Sequence, residues 1–234
     1  MKLSSTSIHS IPGLRASNSY LIETDSGTLE LIDAGMPGSS KKIIEYIKTI
    51  GKDPKSLSLI VLTHSDIDHS GSAAELKEAV PNAKIAIHEG DAPRLAGQKK
   101  LKEVKGAAGI AMGIMGSFIK FHPVNPDVVL KDGDIVGDLK TIWTPGHTEG
   151  SACFLDERNR ALFVGDTLRT SSNDKIEFAP ASMSVDVQQV KESVRNKLAG
   201  LDFDLLLPGH GPPILSEGSK QLGLLIASQQ TSHA

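Results

Sequence analysis

Apolar and polar positions along the first part of the chain predict an alternation of strands and helices. Apolar residues recur at helical spacing between positions 43 and 50, and Gly51 is placed to end that helix. The uninterrupted apolar run Leu57–Leu62 has the length of a strand covered on both faces. Short β-rich runs bounded by turn residues, and one more helical pattern, complete this part: strands at 8–11, 20–23, 28–32 and 84–87, and a helix over 73–79.

The second part of the chain repeats this plan. The predicted elements are strands at 128–130, 139–143, 152–155, 161–164 and 203–207, a helix over 184–198 and a closing helix over 221–227. Asp186 lies in the first turn of the longer helix, where the helix dipole favours an acidic side chain. No low-complexity linker separates the two parts, so residues 1–234 are predicted to form one domain with internal pseudo-duplication.

The segment from about 91 to 121 breaks the alternation and predicts a helical insertion. Its first part is rich in lysine, and an uncharged stretch with three glycines follows over 107–119. Small residues permit close packing, so this stretch fits a core helix or a helix at a homodimer contact. A flexible wall over a binding pocket fits equally well. The stretch is too short to span a membrane.

Composition and charge narrow the function classes. The chain has 25 basic and 28 acidic side chains, a formal net charge of −3, so no overall basic surface indicates a nucleic-acid partner. The amino-terminal residues lack the apolar core of a signal peptide, no run has the length of a membrane span, and a cytoplasmic location is expected. The one cysteine, Cys153, excludes an internal disulfide and a zinc site built from several thiolates, so a bound metal would need histidine and carboxylate ligands.

Candidate ligands are densest directly after the predicted strand Leu57–Leu62. Four fall within six positions at the carboxyl end of that strand, where α/β proteins usually place their sites. Three more lie in turns bent by glycine or proline that follow later strands, and such turns can direct short side chains towards a common centre. The seven candidates are His64, Asp66, Asp68, His69, His147, Asp166 and His210.

In order and spacing, these motifs resemble the metallo-β-lactamase superfamily over nearly the whole chain. Two further stretches, at 18–22 and 31–35, match the opening strands of that superfamily. The resemblance implies a four-layer αββα sandwich, in which two mixed β-sheets pack face to face with helices outside. It also implies a site for one or two metal ions at one edge of the sandwich, acting on a small-molecule substrate.

The resemblance further implies which residues hold each metal. His64, Asp66 and His147 would hold the first ion, and Asp68, His69 and His210 the second, with Asp166 bridging the two. Two divalent ions are expected, zinc before iron or manganese. A metal-bound hydroxide would be the nucleophile, and a catalytic role falls to Asp68, which would orient it or take up a proton. The expected function is hydrolysis of an ester, lactone, thioester or β-lactam-like amide bond.

One position departs from the pattern of the superfamily. Most members have histidine where this chain has Asp66, so the motif is His-x-Asp-x-Asp-His rather than His-x-His-x-Asp-His. The additional carboxylate lowers the net charge of the site by one and favours harder ions. Two roles stay open for Asp66: a ligand of the first metal, which we favour, or a residue that only supports a ligand. The departure also leaves open an iron-dependent redox enzyme or a weakly active metal-binding protein.

Residues outside the motifs carry simpler expectations. Cys153 lies in an apolar strand and is expected to be a small buried hydrophobe. Asp33 ends a strand, and the resemblance implies that it supports the site. The remaining histidines are expected at the surface or at strand ends, although one of them, His88, is near enough to the same edge to contact substrate: His9, His88, His122 and His233.

Overall fold

Two β-sheets and the helices on their outer faces make up the computed structural model, which describes residues 1–3, 6–100 and 121–231. The strands of the first sheet are β1 (Ile8–Ser10), β2 (Tyr20–Glu23), β3 (Leu29–Ile32), β4 (Leu57–Leu62), β5 (Lys84–His88) and β6 (Val128–Leu130). They lie side by side in chain order. Strands β1 to β3 are antiparallel, whereas β3 to β6 are parallel, so the carboxyl ends of β3 to β6 meet at one edge.

The second sheet brings the ends of three strands to a common edge. The remaining strands are β7 (Ile135–Val136), β8 (Leu139–Trp143), β9 (Ala152–Asp156), β10 (Ala161–Gly165), β11 (Arg169–Thr170), β12 (Ile176–Glu177) and β13 (Leu205–Pro208). The sheet has the order β13-β10-β9-β8-β7, and β11 pairs with β12 in a separate hairpin. Strand β10 is parallel to β13, and β9 is antiparallel to both β8 and β10. The carboxyl ends of β8, β10 and β13 therefore point the same way.

Helices cover both outer faces of the sandwich. The helices are α1 (Ser40–Thr49), α2 (Ile67–Ser70), α3 (Ala73–Ala79), α4 (Ala92–Leu95), α5 (Val187–Ser193), which continues as a π-helical turn (Val194–Leu198), and α6 (Gly218–Thr231). Two 3-10 turns, Pro54–Ser56 and Ala181–Met183, precede β4 and α5. Within the described ranges, no helix is both long and apolar enough to cross a membrane. That residues 1–234 form one domain stays a prediction.

Three apolar cores hold these layers together. Between the sheets, Tyr20 meets Phe163 edge to face, with ring centroids 5.6 Å apart. A second core joins the first sheet to α1 and α3 and includes the fully buried Ile43. A third joins the second sheet to α5 through Val190 and to α6 through Leu222. The four-layer αββα sandwich predicted from the sequence is therefore confirmed.

Several boundaries differ from the predicted ones. The helix predicted over 184–198 begins at Val187, because the Asp186 carboxylate accepts hydrogen bonds from two backbone N–H groups of the first turn and caps it. The closing helix is longer than predicted, and the last strand begins at Leu205. Helix α2 and the β11–β12 hairpin were not predicted, because elements of two to four residues show too little periodicity.

Most of the predicted insertion over 91–121 lies outside the described residues. The described part, residues 91–100 and 121, contains α4 followed by turns. The homodimer contact predicted for this insertion falls on the same undescribed residues and stays a prediction.

Glu30 is a buried carboxyl group in β3, near the amino end of that strand. Its side chain is 4% exposed, and its Oε2 atom makes no hydrogen bond to any residue that the structure describes. The backbone packs tightly here, since a Cβ atom at Gly137 would lie 1.9 Å from Oε1 of Glu30. Burial, together with the negative charge of Asp138, raises the pKa of Glu30 to about 7.

Glu30→Gln is expected to stabilise the protein at about pH 8 by on the order of 2 kcal/mol, because an amide is not ionised. In the unfolded chain the carboxyl ionises at ~4.3. As the pH rises from there through the folded pKa of about 7, the wild type loses stability progressively. Urea unfolding at several pH values measures the difference, with Glu157→Gln at an exposed side chain as the control. A gain that does not grow with pH would contradict the expectation.

Candidate metal centre

Loops from both sheets carry the seven candidate ligands to one edge of the sandwich. The loop and helix after β4 carry four of them, and the loops after β8, β10 and β13 carry one each. The ends of these strands lie at the same edge, so their loops converge. The structure brings all seven side chains together, in groups whose ligand atoms lie within 4.8 Å of one another.

The first group consists of His64, Asp66 and His147. Oδ2 of Asp66 lies 3.1 Å from Nε2 of His147 and 3.6 Å from Nε2 of His64. Both histidine side chains are 1% exposed. Asp66 thus places a carboxylate oxygen between the two imidazoles, where it could bind an ion together with them.

The second group consists of Asp68, His69 and His210. Oδ2 of Asp68 lies 3.3 Å from Nε2 of His210 and 3.8 Å from Nε2 of His69. The two imidazole nitrogens are 3.5 Å apart. This group is the more open one, because the side chains of His210 and Asp68 are 34% and 24% exposed.

Asp166 lies between the two groups. Its Oδ2 atom is 3.4 Å from Nε2 of His147 and 3.3 Å from Nε2 of His210, one histidine from each group. Its Oδ1 atom is 3.2 Å from Nε2 of His69. A single carboxylate in this place can contact ions in both groups, as the resemblance implies for Asp166.

Asp33 orients the second group from behind. Nδ1 of His69 lies 2.7 Å from Oδ2 of Asp33, so the opposite ring nitrogen, Nε2, faces the centre. Oδ1 of Asp33 accepts a hydrogen bond of 2.8 Å from the backbone N–H of Thr63, which precedes the motif. Asp33 itself adopts a left-handed backbone conformation, with φ of 60°. The supporting role that the resemblance implies for Asp33 agrees with this geometry.

Sequence reasoning missed a second buried carboxylate behind the centre. Asp91 has no exposed area and accepts hydrogen bonds from the backbone N–H of Ser65 and the hydroxyl of Thr148. The sequence feature that could have indicated Asp91 is its position three residues beyond β5, the strand that pairs with β4. In the sequence, Asp91 marks only the start of the predicted insertion.

The carboxylates and imidazoles of the centre shift one another's pKa values. Burial lowers the pKa of His69, but the charges of Asp166 and Asp33 outweigh burial and raise it well above its ordinary value. Against burial, hydrogen bonds to Asp166 and Asp68 raise the pKa of His210 to about 10. Burial alone would raise the pKa of Asp166, yet the neighbouring histidines hold it well below its ordinary value. The carboxylates therefore favour positive charge here, whether a proton or a metal ion carries it.

The polar atoms of this cluster fit divalent metal ions. Nε2 of His64 is buried and makes no hydrogen bond to any part of the chain that the structure describes. Such an unpaired buried atom costs about 1–3 kcal/mol, which coordination to a metal would offset. Imidazole nitrogens and carboxylate oxygens together suit zinc, iron and manganese.

A cleft of about 300 Å³ opens beside the second group. It is lined by Asp166, His210, Arg169, Ala179, Pro180 and Met183. The histidines of the first group are almost fully buried, whereas His210 is partly exposed. A small molecule would therefore approach the centre from the side of the second group.

His9, which was expected at the surface, is buried, whereas His88 lies at a strand end as expected, as the last residue of β5, and is buried there. His9 is 4% exposed and contacts Tyr46 and Glu23. His88 is also 4% exposed and stacks on Trp143, with ring centroids 5.4 Å apart, rather than joining the cluster. Paired polar partners and aromatic contact let a histidine lie in the interior, which a single sequence does not reveal. His122 is exposed, and His233 lies outside the described residues.

Cys153 is fully buried, and burial raises the pKa of its thiol to about 11. The prediction of a small buried hydrophobe is confirmed.

Comparisons with known proteins agree with the resemblance. The family model described as the metallo-β-lactamase superfamily matches residues 12–210. The chain is 28% identical over 221 residues to the probable metallo-hydrolase YflN of Bacillus subtilis, covering 86% of this chain and 83% of YflN. It is 39% identical over 158 residues to the uncharacterized protein YobT of Bacillus subtilis, covering 68% of this chain and 64% of YobT. It is 27% identical over 165 residues to a hydroxyacylglutathione hydrolase of Francisella tularensis subsp. novicida.

A solved structure extends the match to nearly the whole fold. The structure of TTHA1623 in a di-iron-bound form matches with a TM-score of 0.67 and 28% identity, covering 91% of this chain and 93% of that chain. The match to the hydroxyacylglutathione hydrolase covers 68% of this chain but 51% of that enzyme, so the chain spans about half of its length.

Proposed function

Because the chain belongs to the metallo-β-lactamase superfamily, we propose that it is a metal-dependent hydrolase that cleaves an ester, lactone, thioester or amide bond of a small molecule. The observation that carries the proposal is the convergence of four histidines and three aspartates at one edge, with the buried Nε2 of His64 left without a hydrogen bond to the described residues. The two groups and the carboxylate between them have the composition of an open nitrogen and oxygen site, which suits catalysis.

Different residues would hold each of the two metal ions. His64, Asp66 and His147 would hold one ion, Asp68, His69 and His210 the other, and Asp166 would contact both. When bound, two such ions lower the pKa of a water molecule to about 7 and polarise the carbonyl of the substrate. Asp33 keeps Nε2 of His69 directed at the centre.

In the proposed reaction, Asp68 would take up and pass on the proton. Burial would raise its pKa, but the charge of His69 and a hydrogen bond to His210 lower it, so the carboxylate is ionised. Its Oδ2 atom lies beside these histidines, which leaves Oδ1 to accept a hydrogen bond from the attacking water. The side chain is 24% exposed, so a proton taken up there can pass to the leaving group or to solvent.

A second candidate, an iron-dependent redox enzyme, is favoured by Asp66. Its carboxylate oxygen is a harder ligand than imidazole and supports iron or manganese over zinc in the first group. The di-iron form of the structural relative TTHA1623 supports the same alternative. Elemental analysis of protein expressed with both metals distinguishes the two: zinc without iron contradicts the redox function.

The proposed function is tested with the purified protein loaded separately with zinc, iron and manganese. The substrates are a lactone, an aryl ester, a β-lactam and a hydroxyacylglutathione, the last because a relative is named for its hydrolysis. We expect hydrolysis of at least one substrate that is lost on chelation and restored by adding metal. Metal-loaded protein that is inactive on all of them would contradict the proposal. Hydrolysis that survives chelation and the substitution His147→Ala would contradict it as well.

A further inference from the structure

We propose that Asp91 is a positioning residue that sets the geometry of the first ligand group and leaves the second to Asp33. Its expected effect on catalysis rests on the proposed function, whereas its effect on metal binding does not. The hydrogen bonds of Asp91 go to residues that lie beside the candidate ligands in sequence. It acts through the backbone and side chains of their neighbours in sequence.

The carboxylate of Asp91 is fully buried, and each of its two oxygens accepts two hydrogen bonds. Oδ2 accepts hydrogen bonds from the backbone N–H of Ser65 at 2.7 Å and from the hydroxyl of Thr148 at 2.8 Å. Oδ1 accepts from the backbone N–H of Gly150 at 3.0 Å and from Nη1 of Arg94 at 3.2 Å. One side chain thus joins the loop after β4 to the loop after β8.

Each ligand of the first group is adjacent in sequence to one of these contacts. Ser65 lies between His64 and Asp66, and Thr148 directly follows His147. Fixing Ser65 and Thr148 therefore fixes the backbone on which all three ligands stand. None of the ligands of the second group is adjacent to a residue that donates a hydrogen bond to Asp91.

The second group has its own carboxylate. Asp33 contacts Nδ1 of His69 and accepts a hydrogen bond from the backbone N–H of Thr63. The hydrogen bonds of Asp33 and Asp91 involve different residues of the motif. Asp33 also reaches the first group, because the Thr63 hydroxyl that donates to it lies 3.0 Å from Nδ1 of His64. The hydrogen bonds of Asp91, in contrast, go to neighbours of first-group ligands and to none of the second group, so a change at Asp91 acts on the first group.

Close packing and charge compensation make Asp91 rigid. A Cβ atom at Gly150 would lie 2.3 Å from the backbone nitrogen of Asp91, so the two loops are pressed together without a side chain between them. Arg94, 6% exposed, supplies the positive charge that a buried carboxylate needs, and it also contacts Glu149 at 3.3 Å. Residues that orient ligands typically contribute about 10–100-fold to metal affinity.

Metal titration tests the proposal. Asp91→Asn keeps the volume of the side chain but removes one acceptor and the charge. Thr148→Val is milder, because it removes one of the four hydrogen bonds to Asp91, together with the contact between the Thr148 and Ser151 hydroxyls. Asp156→Asn is the matched control, because Asp156 is also fully buried and accepts hydrogen bonds from Asn159 at a distance from the centre. Each variant is freed of metal and titrated with Co²⁺ alone, following visible absorption and the number of ions bound per chain.

Two ligand variants assign the binding phases. His147→Ala weakens the first group and His210→Ala the second. We expect Asp91→Asn to weaken, by about 10-fold or more, the same phase as His147→Ala and to leave the other phase unchanged. Thr148→Val should weaken that phase less, and Asp156→Asn should weaken neither. The proposal is overturned if Asp91→Asn weakens both phases equally. It is also overturned if Asp156→Asn, at the same drop in melting temperature, loses as much metal affinity as Asp91→Asn does.

This design separates the proposal from the proposed function. If the wild type binds two ions but hydrolyses nothing in the substrate panel, the titration still decides the role of Asp91. If hydrolysis is found, we expect Asp91→Asn to lower kcat less at saturating zinc than at limiting zinc. A kcat defect that saturating zinc leaves unchanged would contradict positioning through the metal.

Discussion

Asp166→Asn is expected to lower the hydrolytic rate by about 10³-fold, equivalent to ~4 kcal/mol of transition-state stabilisation. The reason is the place of this carboxylate: its two oxygens lie within 3.4 Å of histidines from both ligand groups. An amide offers one oxygen and no charge, so neither group keeps its shared anionic ligand. Metal content per chain and kcat/KM on the best substrate of the panel measure the effect.

The buried substitution Asp156→Asn controls for a general loss of stability in this experiment. It should leave the metal content at the wild-type level. Wild-type metal content and activity in Asp166→Asn would contradict the bridging position. Chelation of the wild type should give a loss of the same order, reversed by zinc.

Gly209→Ala is expected to give the second largest loss, about 10²-fold or more in activity, through sterics alone. A Cβ atom at 209 would lie 2.4 Å from Cε1 of His69 and 2.7 Å from Oδ1 of Asp166. The loop has little room to retreat, because the backbone N–H of Gly209 donates to Gly165 and its carbonyl accepts from Asn18, both at 2.8 Å. The methyl group would displace two ligands at once.

Gly223→Ala is the matched control for this substitution. Gly223 lies in α6, and a Cβ atom there would meet nothing within 4 Å. It should keep full metal content and activity. Gly209→Ala with unchanged metal content and kcat/KM would show that the close approach to His69 and Asp166 is not a feature of the protein in solution.

Patterns that repeat along the chain were predictable from the sequence, and contacts between distant loops were not. The buried strand β4 was predicted with its observed bounds, because an uninterrupted apolar run ends abruptly at a polar motif. Helix α1 was predicted from its helical spacing, and Gly51 adopts the positive φ of 76° expected of a residue just beyond a helix. The start of α5 was wrong because the Asp186 cap outweighed the apolar pattern upstream.

For the candidate site, too, the local motifs were predictable from the sequence and the contacts between distant loops were not. Its seven residues were selected from local motifs at strand ends, and the structure brings all seven together. Whether Asp66 faces the centre depends on the path of the loop after β4, which periodicity does not encode. Asp91 was missed because its partners, Ser65 and Thr148, are 26 and 57 positions away along the chain. The stacking of His88 on Trp143 was not predicted, because it is a contact between strands of different sheets.

The proposed two-metal centre has one divalent ion in each of the two groups of ligands. It is tested most directly by diffraction from crystals grown with zinc, using anomalous difference maps on both sides of the zinc absorption edge. We predict two peaks per chain, one among His64, Asp66 and His147 and one among Asp68, His69 and His210, with Asp166 between them. No peak at this edge of the sandwich in zinc-loaded crystals, or a single peak that Asp166 does not contact, would contradict the account.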